Sequence, residues 1–198
     1  MAEAKTLLEL AGADLSLPKI KDACLVLIDI QNEYLQGPIV VSGAEPAIDN
    51  AARLLRAARD GGAPVVHVAH KGRAGGLFDR AAERGQIVAA LTPTTDEAVV
   101  EKGLPNSFAG TDLQARLAAT GRKTVIFAGF MTHMCVSSTA RAALDLGFRA
   151  IIDASACGTR DLPDGKGGVL PAAMIHDVAL AELADRFAII AHRPGDLS

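Results

Sequence analysis

The chain has 198 residues, of which 49% are hydrophobic and 22% charged, and we predict one domain over 1–198 with a sizeable core. Its net charge is −3 and only 4% of its residues are aromatic, so the basic surfaces and stacking platforms of nucleic-acid-binding proteins are not expected. No run approaches the ~18 apolar residues of a membrane span, and the amino terminus lacks a signal-peptide pattern. We therefore predict a cytoplasmic protein that binds neither nucleic acid nor membrane.

Continuous apolar runs alternate with segments of helical period along the chain. The apolar runs predict strands at 23–30, 64–69, 98–103, 124–129, 149–154 and 187–191. Helical periodicity predicts helices at 47–59, 111–119, 136–146 and 171–185. Because unbroken apolar strands are covered on both faces, this alternation predicts a mainly parallel sheet in a three-layer α/β/α domain. The stretches 70–97 and 155–170 lack strong periodicity and are predicted to be functional loops.

Three residues of complementary chemistry lie at the ends of strands in the predicted sheet. Asp29 is near the end of the first strand, Lys102 at the end of the third and Cys135 in the turn after the fourth. The carboxyl ends of parallel strands meet at one edge of the sheet, where ligands bind in this architecture. A cation and a helix amino terminus lower the pKa of a cysteine thiol, and a carboxylate can accept its proton. The pattern predicts a nucleophilic Cys135 with a lowered pKa, supported by Lys102 and by Asp29 as base.

Each of these residues also has a purely structural interpretation. Cys135 alone could be a small buried hydrophobe, Asp29 a turn former and Lys102 a solvated charge. A different catalytic set is also open, because His133 lies two residues before Cys135 and could act as its base. Neighbours in a tight turn rarely make that contact, so the carboxylate, ammonium and thiol are preferred as the catalytic set.

The remaining cysteines and histidines carry weaker signals. The three cysteines are odd in number, widely spaced and without a CxxC motif, so no disulfide or zinc site is expected, and Cys24 and Cys157 are assigned to the core. His67 and His70 project to opposite faces of a strand and lack a carboxylate to complete a metal site, although a metal role for His70 stays open. The GxGxxG, P-loop and GxSxG motifs of nucleotide-binding proteins and serine hydrolases are absent.

Three stretches of the sequence together resemble the isochorismatase-like cysteine hydrolase superfamily, which includes nicotinamidases, N-carbamoylsarcosine amidohydrolases and ureidoacrylate amidohydrolases. They are LIDIQNEY (27–34), KGLPNSFAGTDL (102–113) and GFMTHMCVSSTARAALDLGF (129–148). The resemblance implies a Rossmann-like sheet of six strands in the order 3-2-1-4-5-6. That order would place the carboxylate and the thiol on either side of the point where strand order reverses.

The resemblance also implies the roles of individual residues. Asp29, Lys102 and Cys135 would form a catalytic triad. A cis peptide bond would join Phe130 and Met131, and the N–H groups of Met131 and Cys135 would form the oxyanion hole. These roles agree with the chemistry argued from the residue types alone.

Four further residues are expected to bind substrate. Gln31 belongs to the family motif that follows the aspartate, and Phe78, Phe108 and Arg160 are expected to shape the pocket. An arginine at the rim of the site suits a substrate carboxylate. This points to carbamoyl amino acids or maleamate-like amides.

The resemblance implies a hydrolase, and a departure from the metal-binding motif of nicotinamidases leads us to expect no metal or other cofactor. Isochorismatases proper cleave a vinyl ether by acid chemistry and lack the nucleophilic cysteine, so Cys135 favours hydrolysis of a C–N bond through a thioester. Nicotinamidases bind a metal through an Asp-x-His motif, whereas this chain has HVAHKGRAGG at that place. We expect a homo-oligomeric amidohydrolase that releases ammonia from a small amide or ureide. A vinyl-ether hydrolase and a non-catalytic binding or scaffold protein stay open as alternatives.

Overall fold

A parallel sheet forms the centre of the structure, a computed structural model that describes residues 3–197. The strands are β1 (Cys24–Ile28), β2 (Val65–His70), β3 (Ala98–Lys102), β4 (Thr124–Phe130), β5 (Arg149–Gly158), β6 (Leu162–Pro163), β7 (Val169–Leu170) and β8 (Ala188–Ala191). Six of them form the sheet in the order β3-β2-β1-β4-β5-β8, with every neighbouring pair parallel. The predicted order is confirmed, with β8 as the sixth strand because β6 and β7 form a separate antiparallel hairpin.

Helices lie on both faces of the sheet. They are α1 (Leu7–Leu10), α2 (Glu33–Gln36), α3 (Ala44–Asp60), α4 (Leu113–Ala119), α5 (Ser137–Asp145) and α6 (Ala172–Arg186). Short 3-10 turns occupy Ile20–Asp22, Glu83–Gly85 and Ala89–Leu91, and one π-turn occupies Thr132–Val136. Across residues 3–197, no helix combines the length and apolarity needed to span a membrane.

Two hydrophobic cores, one on each face of the sheet, explain the continuous apolar runs. In β1, Leu25 and Leu27 join the core that contains α3, whereas Val26 and Ile28 join the core that contains residues of α4, α5 and α6. Successive side chains of a strand point to opposite faces, so a strand covered on both faces needs apolar residues at every position. The three-layer α/β/α architecture is confirmed.

The fifth strand differs from its predicted extent. It was expected to end at residue 154 but continues to Gly158. Ile152 pairs with Phe127 and Cys157 pairs with Gly129, so four residues of β5 oppose a single residue of β4. This irregularity is held by the Asp153 carboxylate, whose Oδ1 accepts hydrogen bonds from Ser155 N at 3.0 Å and Ala156 N at 3.3 Å. The residues from 155 to 158, which were predicted to begin a loop, therefore belong to a strand that contains a bulge.

The order of the strands determines where a site can form. β1 borders β2 on one side and β4 on the other, so the chain order reverses between β1 and β4. In an open parallel sheet, the crevice beyond the carboxyl ends of such strands is the usual place for a ligand. Asp29 follows β1, Cys135 lies in the turn after β4 and Lys102 ends β3, so all three lie on this edge.

Candidate active site

Asp29 follows β1 and turns its carboxylate into the protein interior. Its N–H still donates to Val68 O at 2.9 Å, and its carbonyl accepts from Gln31 N at 2.9 Å. Its φ of +53° lies in the left-handed region, which aspartate tolerates better than most residues but which still costs free energy. The side chain is fully buried. A strained backbone and a buried charge at one position indicate a functional constraint.

Lys102 is the last residue of β3, and its side chain crosses the end of β2 to reach Asp29. Nζ lies 2.6 Å from Asp29 Oδ2, 3.3 Å from Cys135 Sγ and 3.3 Å from His70 Nδ1. An ammonium carries three N–H donors, and three acceptors surround this one. Only 2% of Lys102 is exposed, so the structure excludes a solvated surface charge.

Cys135 lies inside a π-turn that leads directly into α5. The turn is closed by a hydrogen bond from Val136 N to Met131 O at 3.2 Å, and the peptide bond between Phe130 and Met131 is cis. The thiol was expected just before the first helical turn, but it lies within the turn itself, in the π conformation often found at functional sites.

Two contacts that involve histidines connect this turn to neighbouring elements. Thr132 Oγ1 lies 2.9 Å from His176 Nδ1, and His133 Nδ1 lies 2.6 Å from Thr159 Oγ1. His133 therefore contacts a threonine rather than the thiol, and the alternative of a Cys–His pair loses its support. The thiol of Cys135 instead contacts Lys102 Nζ, at 3.3 Å, and the side chain of Asp29.

Burial dominates the electrostatics of the site. It raises the pKa of Asp29, and the neighbouring Lys102 ammonium opposes that rise. Burial, followed by the nearby Asp29 carboxylate, raises the pKa of the Cys135 thiol to about 12, against the lowering effect of Lys102. The lowered thiol pKa expected from the sequence is wrong, because desolvation and a like charge outweigh the single cation. Burial thus favours the neutral form of the thiol and opposes ionisation of Asp29, whose carboxylate form is supported by the 2.6 Å contact with Lys102.

Gln31 does not face a substrate. Its side chain is fully buried; Oε1 accepts from His70 N at 2.8 Å, while Nε2 donates to His70 O at 3.0 Å and to Gly85 O at 2.7 Å. These bonds tie the end of β1 to the end of β2 and to the long loop after it. The substrate-binding role expected for Gln31 is corrected to a structural one.

The two candidate phenylalanines have different surroundings. The ring of Phe108 stacks on Phe148 with centroids 6.1 Å apart, and Phe148 directly precedes β5, at the amino end of the sheet. The expected pocket role of Phe108 is therefore wrong, because this ring packs away from the site. The ring of Phe78 lies 4.9 Å from that of His70 and 5.2 Å from that of Tyr34, beside the triad.

Arg160 lies near the site with unused hydrogen-bonding capacity. Its Nη1 donates to Asp161 O at 3.2 Å, while its buried Nε has no partner among residues 3–197. Thr159, the residue before Arg160, contacts His133 of the π-turn. Burial, followed by Asp29 and Cys135, raises the pKa of the Tyr34 hydroxyl, and Arg160 opposes this rise. The same hydroxyl thus interacts electrostatically with both the triad and Arg160.

The contact between His70 and Lys102 was not predicted from the sequence. It was considered only as a metal ligand, and the structure instead places its ring against the ammonium of Lys102. Among the described residues, no cluster of three His, Cys, Asp or Glu side chains is arranged to hold a metal ion. A signal existed in principle, because a lysine on β3 that reaches β1 must cross the end of β2, where His70 lies.

A carboxylate, an ammonium and a thiol are thus in contact at the reversal point of a parallel α/β sheet. The chain belongs to the isochorismatase family, since residues 23–193 match the Isochorismatase domain. It is similar to a secreted isochorismatase effector of Verticillium dahliae, with 41% identity over 89% of this chain and 90% of that protein. A maleamate amidohydrolase of Pseudomonas putida shares 32% identity over 69% of this chain and 72% of its own.

A solved structure supports the same assignment. The crystal structure of an isochorismatase from Pseudomonas putida KT2440 matches with a TM-score of 0.92 and 44% identity, over 96% of this chain and 97% of that one. The superfamily inferred from three short motifs is confirmed, and with it a hydrolytic function.

Proposed function

We propose that this protein is a metal-independent cysteine amidohydrolase, which cleaves the C–N bond of a small amide or ureide through a thioester and releases ammonia. One observation carries the proposal: the Lys102 ammonium contacts the Asp29 carboxylate and the Cys135 thiol at once, inside a buried site. Each group has a role in such a reaction. Cys135 is the nucleophile, Asp29 the base and then acid, and Lys102 the fixed positive charge.

The shared ammonium lets the proton move at low electrostatic cost. When Cys135 passes its proton to Asp29, the negative charge moves from one partner of Lys102 to the other. No charge is left unpaired in the interior, where an isolated ion is expensive. The raised pKa of Cys135 means that its thiol keeps the proton until a substrate carbonyl is present. Proton transfer and attack then occur together.

The remaining steps balance with one water molecule. Sγ of Cys135 bonds to the carbonyl carbon, and the oxyanion is received by the N–H groups of Met131 and Cys135, as the family resemblance implies. Asp29 returns the proton to the departing nitrogen, which leaves as ammonia, and a thioester remains. Water then attacks the thioester and gives one proton to Asp29, while its oxygen bonds to the carbonyl carbon. The C–S bond breaks, Asp29 passes that proton to the departing sulfur, and the acid product leaves with the thiol restored.

We propose a substrate that carries a carboxylate away from the scissile amide. Within residues 3–197 the Nε of Arg160 has no hydrogen-bond partner, and this together with the electrostatic link of Arg160 to Tyr34 supports a rim subsite for an anion. The maleamate amidohydrolase relative supports the same class by its name. The homo-oligomeric state and the cytoplasmic location stay predictions.

A second candidate is supported by the relative named as an isochorismatase. Burial raises the pKa of Asp29, and a protonated carboxylic acid there could donate a proton to a vinyl ether. That reaction does not need the thiol. The two candidates therefore differ in how they depend on Cys135.

Covalent capture tests the amidohydrolase proposal. Wild-type protein is mixed with nicotinamide, N-carbamoyl amino acids, ureidoacrylate or maleamate, ammonia is measured, and acid-quenched samples are digested for mass spectrometry. We expect ammonia from at least one compound and its acyl group on the peptide of Cys135, because the thioester must form before water attacks. The peptides of Cys24 and Cys157 serve as controls in the same digest. Ammonia release without an adduct at any quench time would contradict the mechanism, and no release from the whole panel would count against an amidohydrolase of these substrate classes, in favour of the vinyl-ether and non-catalytic alternatives.

The Arg160→Gln variant tests the anion subsite. We expect kcat/KM for the carboxylate-bearing amides to fall by about 10- to 100-fold, because a charge-assisted bond is lost, while an uncharged amide is affected less than about threefold. Arg141→Gln is the matched control, since that arginine is paired with Glu182 on the surface. Equal losses for charged and uncharged amides would show that Arg160 is not selective for an anion.

A further inference from the structure

His70 completes the surroundings of Lys102 in a way that the triad alone does not explain. β2 lies between β1 and β3, and His70 is in register with Lys102 on the neighbouring strand. The lysine side chain passes over this position, and His70 Nδ1 lies 3.3 Å from Nζ. The backbone of His70 is itself fixed, because its N–H and C=O both bond to the buried side chain of Gln31.

The chemistry of the contact determines the state of the imidazole ring. An ammonium only donates, so Nδ1 must present its lone pair and the ring proton must lie on Nε2. Burial, followed by the neighbouring ammonium, lowers the pKa of His70 to about 4, which is consistent with a neutral ring. The ring of Phe78 packs against the imidazole at 4.9 Å and limits its rotation.

We propose that His70 is a positioning residue, whose Nδ1 accepts the third N–H of Lys102 and so aims the other two at Asp29 and Cys135. Without this acceptor, a buried N–H would be unsatisfied, and the ammonium would rotate to relieve it. A carboxylate in the same place would compete with Asp29 and Cys135 for the positive charge, whereas a neutral ring does not. The inference concerns the reactivity of the thiol and holds whichever bond the protein hydrolyses.

Three substitutions at His70 distinguish the effect of losing the hydrogen-bond acceptor from the effect of losing the bulk of the ring. His70→Asn keeps an acceptor atom near the position of Nδ1, His70→Gln carries its polar end near Nε2, and His70→Leu has no acceptor. The rate of Cys135 alkylation by iodoacetamide is followed at neutral pH by peptide mass spectrometry, with Cys24 and Cys157 as internal references. We expect His70→Leu and His70→Gln to label Cys135 about tenfold more slowly than wild type, and His70→Asn to stay within about threefold. A structural role alone would not distinguish Asn from Gln.

A second measurement reads the contact directly. Nitrogen NMR of wild-type protein labelled at histidine is expected to show His70 with its proton on Nε2 and an unprotonated Nδ1. A proton on Nδ1 overturns the proposal, as does labelling of His70→Leu at the wild-type rate. If His70→Leu does not fold, as judged by circular dichroism, the comparison of Asn with Gln decides.

The readouts keep this proposal distinct from the amidohydrolase proposal. Neither alkylation nor the NMR signal needs a substrate, so an inactive substrate panel leaves both interpretable. Where a substrate is found, His70→Leu is expected to lower kcat by about tenfold with KM changed less than about twofold, because Lys102 acts on the thiol and not on substrate binding. A loss confined to KM would contradict the positioning role.

Discussion

The Cys135→Ala and Asp29→Asn variants are each expected to lower kcat by about 1,000- to 10,000-fold, and the double variant is expected to lose no more than the larger single loss. The reason is that both side chains act in one step. The thiol attacks as the carboxylate takes its proton, and the shared Lys102 contacts hold the two together. Groups that act as a unit show strongly non-additive losses.

Stability must be measured beside activity, because Asp29→Asn also removes one member of a fully buried ion pair. That change is expected to lower the free energy of unfolding by about 3 kcal/mol, since Lys102 is left with an uncompensated charge. Urea unfolding of each variant separates this effect from the catalytic one. Cys157→Ala is the matched control, a buried cysteine outside the triad, and is expected to keep wild-type kcat.

The pattern of losses also decides between the two candidate reactions. An amidohydrolase requires both residues. A vinyl-ether hydrolase would keep its activity in Cys135→Ala and lose it in Asp29→Asn, because only the acid is needed. Losses that add in the double variant would show that the thiol and the carboxylate act in separate steps, which would contradict the mechanism proposed from their shared contact.

The sequence predicted the edge of the sheet on which the site lies for a clear physical reason. Strands covered on both faces must be apolar at every position, so their ends are sharply marked. In a parallel sheet all carboxyl ends lie on one edge, and polar residues at those ends must therefore approach each other. Asp29, Lys102 and Cys135 could be placed together by this argument without knowledge of any side-chain position.

What the sequence could not predict depends on contacts between distant residues. Gln31 is in the right motif for a substrate ligand, but every polar atom of its side chain bonds to backbone of β2 or of the loop that follows. The thiol pKa depends on burial, which outweighs the cation and helix that the sequence displays. His70 acquires its partner only because β2 lies between β1 and β3, and strand order came from the family resemblance rather than from residue types.

The sheet requires a residue without a side chain at position 129. We expect Gly129→Ala to lower the free energy of unfolding by about 4 kcal/mol or more. Gly129 pairs with Ile28 across the reversal point, with φ at +140°. A Cβ atom built there would lie 2.0 Å from the carbonyl oxygen of Ile28. The obstacle is backbone of the central strand, which cannot move aside as a flexible side chain could, and the backbone conformation itself is strained for alanine.

Gly147→Ala is the matched control for this prediction. Its φ is +79°, but no atom lies within 4 Å of the added Cβ, so it isolates the conformational cost, about 1 kcal/mol. Urea unfolding compares the two variants with wild type. A similar small loss in both would show that β1 and β4 can separate without penalty. If separating β1 and β4 does carry a penalty, a Gly129→Ala protein that still folds must hold these two strands further apart. That separation moves Asp29 away from Cys135. We therefore expect its Cys135 alkylation rate to differ from wild type, while that of Gly147→Ala stays unchanged.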